Sequence, residues 1–268
     1  MKLKCATWNI NSVRLRVRLV ERFLRENGPD ILCLQETKCP QGQFPSGPFK
    51  ELGYLYIAEH GQKGYHGVAI ASRIPFQRSY SKSFCGKQDC RHIAIELDSP
   101  CRLQLHNFYV PAGGDEPDAQ VNEKFAHKLQ FLKEMLAWSA AEAGERNVHK
   151  LVLGDLNIAP LEHDVWSHKD LLKVVSHTPV ETSELKNIMN AGKWTDVMRK
   201  ATPEPEKLYT WWSYRAQDWR KSDRGRRLDH VWANESLAPK FTAMSVVKDA
   251  RDWQQPSDHV PVITEFQL

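Results

Sequence analysis

Short apolar runs that end on a carboxylate or an amide are what most limits how this chain can fold. Ile31-Leu32-Cys33-Leu34 and Leu151-Val152-Leu153-Gly154 are continuous and apolar. Each is too short for a core helix and fits a strand covered on both faces. Glu36 follows the first run, Asp155 and Asn157 follow the second, and Asn9 and Asn11 close an opening strand predicted over 3–10. Between the first two strands Val13, Val17, Val20 and Leu24 recur at helical spacing, and Gly28-Pro29 stops that helix. Strand, helix, buried strand is a βαβ-like start. In α/β sheets, ligand sites form outside the carboxyl ends of strands, so these polar groups can converge. Any one of them alone also reads as a turn residue or helix cap.

The rest of the chain continues the alternation. Strands are predicted over 54–60 and 68–72, joined by Gly61-Gln62-Lys63-Gly64, after a loop rich in Pro and Gly over 40–48. A hairpin is predicted from 91–97 and 102–109 around Asp98-Ser99-Pro100. Phe125, Leu129, Leu132 and Leu136 mark a second long helix that ends by Gly144. Residues 161–205 read as polar helix and loop, and strands over 228–232, 241–247 and 260–266 complete the chain. No composition break, linker or repeat interrupts it, so residues 1–268 are expected to form one α/β domain.

Composition excludes several classes. With 41% apolar and 26% charged residues, the chain is neither a disordered tail nor a collagen-like or disulfide-held miniprotein. No run of ~18 apolar residues is present to span a bilayer. The opening Met1-Lys2-Leu3-Lys4-Cys5 lacks the apolar core of a secretory signal, which makes the cytoplasm the expected address. Six cysteines fall within the first 101 residues without a C-x-x-C pair and read as free thiols. Cys85, Cys90 and His92 have half the spacing of a zinc site but no second pair.

Oxygen donors without a Cys/His set suit a hard cation such as Mg²⁺, which binds few carboxylates and keeps several waters. Arg227-Leu228-Asp229-His230-Val231-Trp232 places a carboxylate inside an apolar run, where an unpaired charge is costly. Ser257-Asp258-His259 offers a partner. An Asp229–His259 pair would fix one imidazole tautomer and favour its protonated form. A cationic imidazole beside a divalent metal answers the negative charge that builds on phosphoryl oxygens in a phosphodiester transition state.

Six motifs then occur in order: Trp8-Asn9-Ile10-Asn11, Leu34-Gln35-Glu36-Thr37-Lys38, Tyr65-His66-Gly67-Val68-Ala69, Gly154-Asp155-Leu156-Asn157, Leu228-Asp229 and Ser257-Asp258-His259. Together, and over essentially the whole chain, they resemble the exonuclease III family of the endonuclease/exonuclease/phosphatase superfamily. The resemblance implies a four-layered α/β sandwich, two mixed β-sheets flanked by helices. It implies Mg²⁺- or Mn²⁺-dependent hydrolysis of DNA phosphodiesters in base excision repair: 3′→5′ exonuclease action on duplex DNA, abasic-site incision and cleaning of blocked 3′ ends. By the same resemblance Glu36 is the main metal ligand. Asn9, Asp155, Asn157, Asp258 and His259 fall in or beside the metal site. Asp155, with Asn157 beside it in the catalytic set, activates or orients the attacking water, Asp229 and His259 form the pair near the scissile phosphate, and Tyr109 contacts phosphate or acts as an acid. Asn11, Lys38, Arg91, Trp211 and Arg226 are expected to contact DNA. The expected partner is duplex DNA with abasic sites, nicks or 3′ ends, without a membrane, and monomeric family members make a monomer the default.

The substrate has support of its own in the sequence. Arg215, Arg220, Lys221, Arg224, Arg226 and Arg227 are interleaved with Trp211, Trp212, Tyr214 and Trp219, a pattern suited to phosphates and exposed bases. By the resemblance, the family's pocket for a base-free sugar is lined near Trp211 and by a residue just before the Leu-Asp motif. Here that residue is Arg226, where some members carry Trp or Leu, and Val174-Val175-Ser176-His177 is bulkier than the matching segment of proficient abasic endonucleases. A 3′-trimming nuclease with little abasic-site activity is therefore one alternative. A phosphatase acting on inositol phosphates or phospholipids, and a catalytically dead DNA-binding module, are the others.

Overall fold

A computed structural model describes residues 1–97, 102–144 and 148–268. The first half of the chain runs β1 (Lys2–Asn9), α1 (Val13–Asn27), β2 (Ile31–Gln35), α2 (Ser46–Glu51), β3 (Tyr56–His60), β4 (Val68–Ser72), β5 (Arg78–Tyr80), β6 (His92–Leu97) and β7 (Leu103–Tyr109). The second begins with α3 (Glu123–Glu142), β8 (His149–Asp155), α4 (His168–Leu171), α5 (Pro179–Ala191), β9 (Thr195–Asp196) and α6 (Val197–Ala201). It ends with β10 (Trp211–Trp212), α7 (Trp219–Ser222), β11 (Gly225–Arg226), β12 (Asp229–Ala233), β13 (Phe241–Val246) and β14 (Val262–Gln267). One sheet has the order β13-β14-β1-β2-β4-β3 and the other β5-β6-β7-β8-β12-β9. Both are mixed, because β1–β2 and β7–β8 pair in parallel while their neighbours pair antiparallel. The expected hairpin forms between β6 and β7, with Leu97 opposite Leu103, and its turn at Asp98-Ser99-Pro100 lies outside the described residues.

Strand alternation explains the layers. Leu3 and Cys5 of β1, Ile31 and Cys33 of β2, Leu103 and Leu105 of β7, and Leu151 and Leu153 of β8 pack between the two sheets. The intervening residues Ala6, Trp8, Leu32 and Leu34 face α1 and α2, while Phe108, Val152 and Trp232 face α3 and α5. The result is the four-layered sandwich. Continued toward the strand ends, the inter-sheet positions turn polar: Thr7 and Asn9, Gln35, Asn107 and Tyr109, and Asp155. Gln35 Nε2 donates to Thr7 Oγ1 (2.9 Å) and Asn107 Oδ1 (2.7 Å), while Asn107 Nδ2 donates to the carbonyls of Leu34 and Ala69 (both 3.0 Å). This buried amide ladder ties the sheets together at the edge where the site lies. Gly154 permits the close pairing there, since a Cβ on it would sit 2.0 Å from the Phe108 carbonyl oxygen.

One buried ion pair braces the same edge. Lys128 of α3 and Glu181 of α5 are both fully buried, 2.5 Å apart. Lys128 Nζ also donates to the carbonyls of Ala112 (3.2 Å) and Asn157 (2.8 Å), and Glu181 accepts from Ser176 N (2.9 Å) and Thr178 Oγ1 (2.6 Å). Lys128→Met leaves Glu181 charged and unpaired, and denaturant titration is expected to show a loss of about 3–5 kcal/mol. Lys128→Met/Glu181→Met is expected to recover part of it; a double variant less stable than the single one contradicts this account.

The cysteines described, Cys5, Cys33, Cys39, Cys85 and Cys90, are in no disulfide, and Cys101 lies outside the described residues. Among the described residues no helix is long and apolar enough to cross a membrane.

Candidate active site

The loops after the strands bend sharply to bring their polar residues together. Asn11, Glu36, Lys38, His66 and Asn157 all have φ between 47° and 53°, a conformation uncommon for residues other than glycine and frequent at functional sites. Asn9 Nδ2 bridges two carboxylates, donating to Glu36 Oε1 (2.9 Å) and Asp155 Oδ2 (2.8 Å). Asn157 donates its backbone N–H to Asp155 Oδ1 (2.9 Å) and its amide to Asp155 Oδ2 (3.1 Å). Asn11 Nδ2 reaches Asp258 Oδ1 (3.2 Å), and Trp211 Nε1 donates to Asp258 Oδ2 (2.9 Å). Lys38 Nζ lies 2.6 Å from Asn11 Oδ1 and 3.0 Å from Glu36 Oε2.

The Asp229–His259 pair expected from the sequence forms. Asp229 and Asp155 are cross-strand partners on β12 and β8. His259 Nδ1 is 2.8 Å from Asp229 Oδ2, and its Nε2 is 3.6 Å from Asp155 Oδ2. Burial pushes the imidazole toward neutrality, but Asp229 and then Asp155 overcome it and raise His259 to about 10. Burial, with Asp229 and Glu36 nearby, raises Asp155 to about 7 against the pull of His259. Glu36 and Asp258 are held below the usual carboxylate range despite burial, Glu36 by the Asn9 amide and Lys38, and Asp258 by His259, Trp211 and Asn11. Tyr109 is pushed well up by burial, Glu36 and Asp155, so its phenol keeps its proton, with Arg91 stacked 4.9 Å from the ring.

Glu36, Asp155 and Asp258 converge with the amides of Asn9 and Asn157 at one edge. These donors are hard oxygens, so the residues fit a divalent ion such as Mg²⁺. His259 has carboxylates at both ring nitrogens and a bound proton, which sets it apart from the other expected ligands.

A cleft of about 610 Å³ runs from Glu36, Asp258 and His259 to Trp211, Val175 and Arg226, with Arg215 and Arg224 on its rim. All the predicted catalytic and metal residues are gathered at this edge, and Asn11, Lys38, Trp211 and Arg226 lie beside them. Arg91 sits behind Tyr109, donating to the Tyr109 carbonyl (3.3 Å) and the His66 ring (2.9 Å). The basic rim is smaller than its sequence suggests. Arg227 is fully buried against Asp164 and Asp196, and Arg220 is tied to Asp249 and Asp252, so neither is free for phosphate. Trp212 is core. Thr210, which holds the backbone of Leu228 and Asp229 through its hydroxyl (both 3.1 Å), had no sequence signal.

The profile of the Endonuclease/Exonuclease/phosphatase family matches residues 6–259. The chain belongs to that family. Within it, exodeoxyribonuclease III of Haemophilus influenzae is 29% identical over 276 residues, covering 99% of this chain and all of the relative. An AP endonuclease from Archaeoglobus fulgidus superposes with TM-score 0.90 at 32% identity, covering 99% of this chain and all of that one. The 3′ phosphatase NExo from Neisseria, bound to a product DNA hairpin, gives TM-score 0.90 at 30% identity with the same coverage. The exonuclease III resemblance and the sandwich fold read from the motifs are borne out, as is the expectation of a hydrolytic enzyme of the DNA-repair nuclease class.

Proposed function

We propose that residues 1–268 form one catalytic domain that hydrolyses DNA phosphodiesters at 3′ ends of duplex DNA, by 3′→5′ trimming and by removal of blocking groups. Incision at internal abasic sites is its weaker activity. The observation that carries this reading is the continuous cleft joining the carboxylate–imidazole set to a pocket whose wall is fixed. Arg226 Nη1 donates to the Val175 carbonyl (3.0 Å) and to Ser176 Oγ (2.7 Å), and its guanidinium lies over the Trp211 ring. That clamp narrows the space a flipped sugar needs, while a strand terminus enters with no base pair to break.

Asp155, near neutrality and aligned by Asn9 and Asn157, takes the proton of the attacking water. His259, held cationic by Asp229, steadies a phosphoryl oxygen, and the protonated Tyr109 donates to another. Glu36, Asp258 and Asn9, with Asp155 and Asn157 adjoining, would hold Mg²⁺ or Mn²⁺. When bound, this ion supplies charge neutralisation at the phosphate. Asn11, Lys38, Arg91 and Trp211 bind or position the strand. The address is the cytoplasm and the working form a monomer.

The test uses a 3′-recessed duplex, an internal abasic duplex and a phosphoinositide, each with Mg²⁺ and with EDTA. Metal-dependent shortening of the first, at least about tenfold faster than incision of the second, is expected. Abasic incision that is faster, lost in Trp211→Ala and unchanged in Val175→Gly, overturns the 3′-end preference, and turnover of the lipid alone overturns the nuclease reading.

A further inference from the structure

Side chains along β12 alternate between two faces. Val231 and Ala233 pack between the sheets on the face that carries Asp229, while Trp232 packs outward with residues of α3 and α5. His230 shares the outward face. Behind that face lies a cavity of about 340 Å³, within the range of about 300–1,000 Å³ that suits small molecules. Pro160, Leu161, Leu185 and Met189 give it apolar walls, and His230 and Trp232 line it as well. It shares no lining residue with the active-site cleft. Two ring nitrogens here are buried and unpaired. His230 Nε2 lies 2.8 Å from the Ile158 carbonyl, which can only accept, so Nε2 carries the proton. Burial, with Arg227 nearby, lowers the imidazole to about 4, so the ring is neutral and Nδ1 is an acceptor. Trp232 Nε1–H is a donor. Among the described residues neither His230 Nδ1 nor Trp232 Nε1 has a hydrogen-bond partner, and the two rings are 5.8 Å apart. Buried polar groups left unpaired are costly, and a ligand that pairs both relieves that penalty.

The charges that line the cavity leave one cation over. Arg199 and Arg227 share Asp164, and Arg227 also holds Asp196. Lys186, on the exposed side of α5, has no ion pair among the described residues. A ligand for this cavity therefore needs apolar faces, one edge with a donor beside an acceptor, and a negative charge. The pairing edge of every nucleobase places a donor next to an acceptor, and its faces stack on apolar side chains. We propose that the cavity between α5 and β12 binds a nucleoside monophosphate, with the base against His230 and Trp232 and the phosphate at Lys186. Trimming of a 3′ end would release such a molecule beside the protein, but the site does not depend on that source.

Calorimetric titration in EDTA with deoxyadenosine 5′-monophosphate, deoxyadenosine and deoxyribose 5-phosphate tests this. The monophosphate is expected to bind best of the three. Trp232→Phe removes the indole N–H and is expected to weaken the monophosphate and the nucleoside alike, by about three- to tenfold. Lys186→Gln is expected to weaken the monophosphate by about two- to fivefold and to leave the nucleoside unchanged. In a ¹H–¹⁵N spectrum, the indole resonance missing from Trp232→Phe is expected to move when the monophosphate is added to wild type. No binding to wild type at millimolar monophosphate overturns the proposal. So does binding that Trp211→Ala abolishes and that neither Trp232→Phe nor Lys186→Gln changes, which places the nucleotide in the active-site cleft. Lys186 is exposed, so the Lys186→Gln comparison and the wild-type spectrum decide the matter even where Trp232→Phe does not fold.

Discussion

Asp155→Asn is expected to lower turnover by about 10²–10⁴-fold, the range for loss of a positioned general base. The substitution is nearly isosteric, and Asn9 and Asn157 remain as neighbours, so the KM for a 3′-recessed duplex is expected to stay within a few-fold of wild type. The same change has a second signature. The folded environment raises Asp155 to about 7, above its ordinary value near 4. Its ionisation therefore opposes folding, a cost absent below the ordinary value, growing as pH rises toward 7 and fully present above it. Asparagine mimics the protonated form. In EDTA at pH 8 the Asp155→Asn protein is expected to melt at a higher temperature than wild type, with the gap closing below about pH 4. Single-turnover kinetics and thermal melts check the two arms. Wild-type turnover removes the assigned role, and a melting gap of opposite sign removes the electrostatic account.

Such a trade of stability for reactivity has a sequence trace. Asp155 closes an apolar run, Glu36 closes another, and Asp229 interrupts a third, so the chain advertises its costly carboxylates by their neighbours. The Asp229–His259 pair was legible for the same reason, because an acid in an apolar run needs a partner. What the sequence could not show is which charges are already spoken for. Arg220 and Arg227 read like Arg215 and Arg224, yet Asp249 and Asp252 lie 29 and 32 positions from Arg220, and Asp196 and Asp164 lie 31 and 63 from Arg227. Lys128 escaped because a stripe counted in apolar residues runs through Phe125, Leu129, Leu132 and Leu136. The fully buried face of α3 instead includes Phe125, Lys128, Phe131, Leu132 and Met135. The Gln35–Asn107 ladder had a usable signal, since both occupy the inter-sheet positions of their strands.

The second large effect concerns how Asp229 acts. Its side chain is fully buried, Oδ2 is engaged by His259 Nδ1, and Oδ1 has no hydrogen-bond partner. It touches the reacting groups through the imidazole, and otherwise acts only by its charge on Asp155. His259→Ala is expected to lower turnover by at least about 10²-fold, the scale for removing a preorganised charge-stabilising group. Asp229→Asn is expected to lower it through the same group, so Asp229→Asn/His259→Ala should be no slower than His259→Ala alone. The pH profile separates positioning from mere structure. With folded His259 at about 10, the imidazolium is lost, and activity falls, as pH rises past that value. Without the Asp229 charge, the principal cause of the elevation, the alkaline limb of Asp229→Asn is expected to move toward lower pH. Additive losses in the double variant, or an alkaline limb that does not move, would show that Asp229 works on the reaction by some path other than His259.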